Sequence, residues 1–142
     1  MLSGLIRIGA ICAVLLTGCV PPSSRGSMSC PAGMGPPILM YQLYFGRSIP
    51  GIGDVTDRDW AGFLDRIVTP DLPNGYTVYD AIGDWMNPIT QRTIRSATKV
   101  LQVALPDTPD NFAAITRIRN TYQTDYRQQL VGMTVHPACG SF

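Results

Sequence analysis

Three groups of residues in this 142-residue chain have types and spacings that could do chemistry. The first is LYFGRSIPGIGDVTDRDW, residues 43–60, where glycines interrupt the passage from an apolar run to a helical one. A dinucleotide loop needs G-x-G-x-x-G between strand and helix, with free backbone N–H groups facing the phosphate. Here Gly46, Gly51 and Gly53 are spaced differently, and Pro50 removes a donor. Asp54, Asp57 and Asp59 crowd the helix start, which suits the helix dipole and repels an anion. No Gly-Lys-Ser/Thr follows, so the stretch reads as a turn. The second group is His136, the single histidine, with Asp80, which together could form an acid/base pair, and Arg47, which could hold a carboxylate through two parallel bonds. No G-x-S-x-G elbow presents a serine nucleophile, and no catalytic residue is assigned.

The third group is the four cysteines, 12, 19, 30 and 139, and their meaning depends on the N-terminus. Arg7 precedes the apolar run 8–16, which is shorter than the ~20 residues a spanning helix needs and reads as a cleaved secretory signal. Leu16-Thr17-Gly18-Cys19 resembles the lipobox of bacterial lipoproteins, which implies cleavage before Cys19 and diacylglycerol and palmitate on that residue. Val20 follows instead of aspartate, the pattern of lipoproteins that reach the outer membrane and face the periplasm in Gram-negative bacteria. Cys30 and Cys139 then sit in an oxidising compartment, where a disulfide is expected. A metal site would need further ligands, and neither metal nor cofactor is expected.

The division of the chain follows: signal peptide 1–18, lipidated flexible tether 19–37 rich in Pro, Ser and Gly, and a folded domain 38–142. Without Arg7 the mature chain carries ten basic residues against ten aspartates. That balance offers nucleic acid no basic face.

Hydrophobic periodicity supplies the elements that must position these groups. ILMYQLYF alternates, with Leu39, Tyr41, Leu43 and Phe45 on one face and Met40, Gln42 and Tyr44 on the other. Thr56 and Asp59 form a capping box in its aspartate variant, after which Trp60, Phe63, Leu64 and Ile67 recur at helical spacing until Pro70 and Pro73. A second strand is expected over 76–82, closing in a Gly83-Asp84 turn with Trp85 beyond, and a third over 98–105. Thr108-Pro109 starts a second helix whose buried stripe is Phe112, Ile115, Ile118, Tyr122 and Tyr126. A fourth strand spans 130–136, with Val131, Met133 and Val135 inward.

The order βαββαβ predicts a ferredoxin-like α+β fold, a four-stranded antiparallel sheet with both helices on one face and strand order 4-1-3-2. Strand 1 would then begin beside the end of strand 4, where Cys30 and Cys139 would meet. Asp80 and His136 would lie on opposite edges, about 14 Å apart at ~4.8 Å per strand, so that one subunit could not pair them.

LYFGRSIPGIGDVTDRDWAGFL, then VTPDLPNGYTVYDAIGDW, then the closing ACGSF resemble an uncharacterised bacterial lipoprotein family, domain of unknown function 3574. The resemblance implies membership and carries no activity. The expected role is a lipid-anchored, periplasm-facing binding or protein-interaction domain. Its candidate surface is the uncovered sheet face with Gln42, Tyr44, Asp80, Gln102 and His136, flanked by Arg47. Besides the membrane, the expected partner is a second copy or another envelope protein. The rival reading is a small enzyme of the dimeric α+β barrel type, with its site on that face.

Overall fold

The computed structural model describes residues 29–49, 51–87 and 90–141. The expected signal peptide, Cys19 and most of the expected tether lie outside the described residues. Strand β1 (Pro37–Gly46) leads through a small ribbon, β2 (Ser48–Ile49) with β3 (Gly53–Asp54), to helix α1 (Asp57–Phe63). A π-helical turn (Leu64–Val68) and a short α2 (Thr69–Asp71) continue α1 without a break. Strands β4 (Thr77–Met86) and β5 (Thr93–Leu105) form a long hairpin, followed by α3 (Pro109–Asp125) and β6 (Gly132–Cys139). The main sheet has the order β4-β5-β1-β6, every neighbour antiparallel, as the ferredoxin-like expectation requires.

Alternation in β1 works as read. Tyr41, Leu43 and Phe45 are buried under the helices, while Tyr44 is exposed on the other face. The core joins these to Val103 and Leu101 from β5, Trp60 and Phe63 from α1, and Ile115, Ile118 and Tyr122 from α3. Phe45, Trp60, Phe63, Tyr122 and Tyr126 form one aromatic cluster, with Tyr122 within 6 Å of each of the other four ring centroids. Edge-to-face and tilted contacts of this kind add about 0.5–1.5 kcal/mol per pair to the area buried.

The glycine-rich stretch is indeed a turn. Ile52 N–H donates to the Ile49 carbonyl at 3.0 Å, and Gly51 at φ 73° occupies the left-handed region where a side chain would be strained. Beyond it the capping box is complete. The Asp59 N–H donates to the Thr56 hydroxyl at 3.1 Å, and the Thr56 N–H returns to the Asp59 carboxylate at 3.0 Å. The Thr56 hydroxyl and N–H hold the Asp59 carboxyl below the usual carboxylate range. A lowered folded value gives stability that is present above the unfolded pKa of ~3.9 and is lost as pH falls through the folded value. Loss of the N-cap side chain in Thr56→Ala should lower stability by about 1 kcal/mol at neutral pH. In urea melts its deficit against the wild type should shrink as pH drops below 4, and a constant deficit would argue against the box.

Several expectations need correction. The first helix passes Pro70 and stops just before Pro73. The Thr69 N–H reaches back five residues to the Leu64 carbonyl, and the chain passes the proline in this wide register before ending at Leu72. Strand β4 does not turn at Gly83-Asp84 but runs through both, pairing them with Ser96 and Arg95 of a β5 that starts five residues earlier than expected. Phe112 is 52% exposed. At 100° per residue it sits about 60° from Ile115, on the side away from Ala114 and Ile118, and so misses the stripe. Val135 shares Tyr41's face by register yet is 46% exposed, on the edge strand.

Cys30 and Cys139 are bonded, with Cα atoms 5.6 Å apart. Cys139 also pairs in register with Pro37, so the bond fastens the chain entering β1 to the end of β6.

Candidate functional site

Helices cover one face of the main sheet and leave the other open. Register decides what the open face carries. Gln42 lies opposite Gln102 and Thr134, Met40 opposite Ala104 and His136, and Tyr44 opposite Val100 and Gly132. Gln42, Tyr44, Gln102 and His136 are thus placed on the open face. Tyr79 joins them, because its partner is Val100. A side-chain network links β4 to β1 across β5, and β1 to β6. The Gln42 amide donates to the Tyr79 hydroxyl at 3.2 Å, the Tyr44 hydroxyl donates to Gln42 Oε1 at 3.2 Å, and Tyr44 meets the Thr134 hydroxyl at 3.5 Å. Val100 lies beneath and is only 2% exposed although no helix covers it. The two tyrosines that flank it do that work.

Asp80 and Arg47 belong elsewhere. Asp80 pairs with Lys99, and Lys99 with Phe45, so all three share the helix side of the sheet. There the Lys99 ammonium pairs with Asp80 and, at 3.5 Å, with Asp57. Arg47 donates from Nε to the Val55 carbonyl at 2.7 Å and pairs through Nη1 with Asp57 at 3.0 Å. Its guanidinium secures the start of α1 and does not flank the open face. The expected placement of Asp80 on that face was one residue out of phase, and such a slip exchanges faces for every side chain of a strand. Asp80 and His136 now stand on opposite edges and opposite faces, which separates the pair more completely than strand order alone.

A concavity of about 500 Å³ opens at one end of the open face. Its floor is the sheet itself where β1, β4 and β5 carry Gly46, Gly83, Ser96 and Thr98. Tyr44 borders it on one side, Trp85 and Ile94 on another, and the loop Gln128-Gln129-Leu130 on a third. Its size falls in the range of small-molecule sites, and its lining of apolar walls with a few polar groups is the usual composition of one. Beyond Gly46 the strand β1 has ended, and β4 and β5 continue as a two-stranded arm. The arm holds Trp85, 42% exposed, over the floor's far end. Sequence reasoning missed this site because it ended strand two at Ile82 and put Trp85 beyond a turn. The legible signal was the small-residue series Gly83, Ser96 and Thr98 on alternate positions of two strands.

Electrostatically the concavity is quiet. Asp84 is its one charged lining residue, and register turns its side chain to the far face, where Arg95 holds it with bonds of 2.9 and 2.8 Å. That grip keeps the Asp84 carboxyl below the usual carboxylate range. Among the described residues no cluster of three or more histidine, cysteine or acidic side chains could hold a metal ion. No described helix is long and apolar enough to cross a membrane.

A family model described as a protein of unknown function, DUF3574, matches residues 40–142. No curated protein matches the chain by sequence. Among solved structures, a phage SAM lyase in complex with S-methyl-5'-thioadenosine is similar, with a TM-score of 0.55 at 9% identity over 72% of this chain and 90% of that one. The apo state of phage SAM lyase gives a TM-score of 0.48 at 12% identity, over 82% and 98% of the two chains. At 9% identity the first likeness is one of fold alone.

Proposed function

For a chain that belongs to the DUF3574 family, we propose the role of a lipid-anchored envelope module that binds through the open face of its sheet. The observation that carries this reading is the concavity at the end of that face, of ligand size and framed by Tyr44 and Trp85. Anchoring rests on Leu16-Thr17-Gly18-Cys19, and the outer membrane facing the periplasm is favoured by Val20. Several acyl chains on Cys19 would hold the protein firmly, since each buried methylene contributes about 0.8 kcal/mol.

The disulfide gives the anchored module a direction. It fixes the chain at the Pro37 end of β1, whereas the concavity lies at the Gly46 end, nine residues or ~30 Å away along the strand. The stretch from Cys19 to Cys30 reaches at most ~40 Å when extended. A module tethered at that end has its binding end free to face away from the bilayer, toward soluble partners of the periplasm.

The test is native mass spectrometry of the full chain purified from a bacterial envelope, beside Cys19→Ser and Ser96→Phe. Ser96→Phe puts a ring onto the floor of the concavity from a half-buried position. The expected result is a lipid mass on the wild type that Cys19→Ser lacks, and a bound small molecule or partner that Ser96→Phe loses. Wild type and Ser96→Phe that both carry no bound mass beyond chain and lipid would overturn the binding role, and an unlipidated wild type would overturn the anchor.

A further inference from the structure

The concavity also has a shape and a polarity, and both narrow what it can hold. The register places side chains of the open face in rows across the sheet. One row is Gly132, Tyr44, Val100 and Tyr79. The next is Gly46, Thr98 and Ala81, then Ser96 with Gly83, then Ile94 with Trp85. Two successive rows therefore contain nothing larger than threonine, between a tyrosine row and a tryptophan row six residues apart, about 20 Å along the strands. A floor stripped of side chains in this way is a nearly flat bed of peptide groups.

The small size of the floor is built in. A Cβ added at Gly83 would lie 2.9 Å from the Thr98 hydroxyl, and one at Gly46 would lie 3.4 Å from Gln128 Oε1. The second contact also places a hydrogen-bond acceptor at the edge of the floor. Gln128 spends its amide N–H groups on the carbonyls of Ser48 and Tyr126, at 3.0 and 3.3 Å. Its Oε1 is left as an acceptor beside Gly46. The lining has no charge to offer an ionic ligand, since Asp84 is turned away and paired with Arg95. Burying an unpaired charge here would cost far more than the apolar walls return.

We infer that the concavity takes an uncharged, flat ring compound with a hydrogen-bond donor on its edge, laid on the Gly46–Thr98–Ser96–Gly83 floor against the Trp85 indole, its donor directed to Gln128 Oε1. This assignment rests on the binding role proposed above and names its ligand class. Flat rings suit a peptide bed and an indole wall together, because both present π surfaces at stacking distance. Ligand-sized cavities take most of their affinity from such apolar contact and their orientation from one or two polar groups.

Titration calorimetry on the full chain in lipid nanodiscs, with empty nanodiscs as reference, tests the inference. The probes are 2-naphthol, 2-methoxynaphthalene, 2-naphthalenesulfonate and 1-decanol. 2-Naphthol should bind, with the methoxy and sulfonate analogues each roughly tenfold weaker. Trp85→Ala and Ser96→Phe should each weaken 2-naphthol roughly tenfold or more while leaving the far-ultraviolet circular dichroism and the melting temperature unchanged. Binding of decanol with no binding of 2-naphthol would overturn the ligand class and keep the binding role. Equal binding of naphthol and sulfonate would overturn the neutrality argument. A wild-type dimer that Ser96→Phe converts to a monomer would make the concavity a contact between copies and overturn the small-molecule assignment. Silence from every probe, with a bare wild-type mass, would remove both the ligand class and the role beneath it.

Discussion

Replacing Cys30 and Cys139 with serine is expected to lower stability by about 3–4 kcal/mol, against a chain-entropy ceiling of ~4.7 kcal/mol for a loop of this order. The bond spans 109 residues, nearly the whole folded domain, so the unfolded chain it restrains is long. For a domain of about this size the melting temperature should fall by roughly 15–25 °C. The effect should be thermodynamic and distant from the site, because the bond lies at the Pro37 end of β1 and the concavity at the Gly46 end. At 10 °C the double variant should therefore bind the same probes as the wild type. Calorimetric melting of the oxidised, reduced and Cys30→Ser/Cys139→Ser forms checks this, and a difference under ~5 °C would mean that the two ends stay together without the bond.

Much of this architecture was legible because local patterns and long-range pairing agreed. In β1 the inward residues Tyr41, Leu43 and Phe45 differ sharply from the outward Gln42, so one register satisfied both faces. Thr56-x-x-Asp59 and Thr108-Pro109 state helix starts in the chemistry of their own side chains. The β4 strand offered no such contrast. TVYDAIGDWM carries Val78 and Ile82 on one parity and Tyr79, Ala81 and Trp85 on the other, and a sheet-edge strand is less buried than a central one. Only its pairing with β5 selects the face, and that pairing is not a local property. Gly83 followed by Asp84 has the composition of a turn, but the strand uses the glycine to clear the floor and the aspartate to pair with Arg95. Arg47 had two acceptors available, a ligand carboxylate and a local aspartate, and the local one won through Asp57. The candidate site was thus half legible. Gln42, Tyr44, Gln102 and His136 were placed on the right face, while the concavity depended on Trp85, Ser96 and the Gln128 loop, whose juxtaposition comes from the arm and the β6 entry.

The largest single-residue effect is expected at Tyr122, where the core and the site share one side chain. Tyr122→Ala should cost about 3–5 kcal/mol, the range for removing a large aromatic from a packed core. Its ring is fully buried and packs edge-to-face against Phe45 at 4.8 Å and Phe63 at 5.1 Å between centroids. Tyr122→Phe separates the two duties. It keeps the ring and removes only the hydroxyl that donates to the Gly46 carbonyl at 3.0 Å, from the core side to the last residue of β1. Loss of a partly buried bond of this kind costs about 1–2 kcal/mol. Burial pushes the Tyr122 phenol well above its ordinary value, so that the hydroxyl remains a donor throughout the neutral range. A raised folded value gives a contribution that is fully present below the unfolded pKa of ~10 and is lost as pH rises through the folded value. Wild-type stability should accordingly decline above about pH 10 as the unfolded chain ionises, and Tyr122→Phe should lose that part of the decline. Since Gly46 floors the concavity, the same variant should weaken 2-naphthol at temperatures well below its lowered but still cooperative melting transition, whereas Trp85→Ala weakens it with no change in alkaline stability. Identical probe binding in Tyr122→Phe and wild type would mean that β1 holds the floor in place through its sheet bonds alone, and that the core supports the fold without tuning the site.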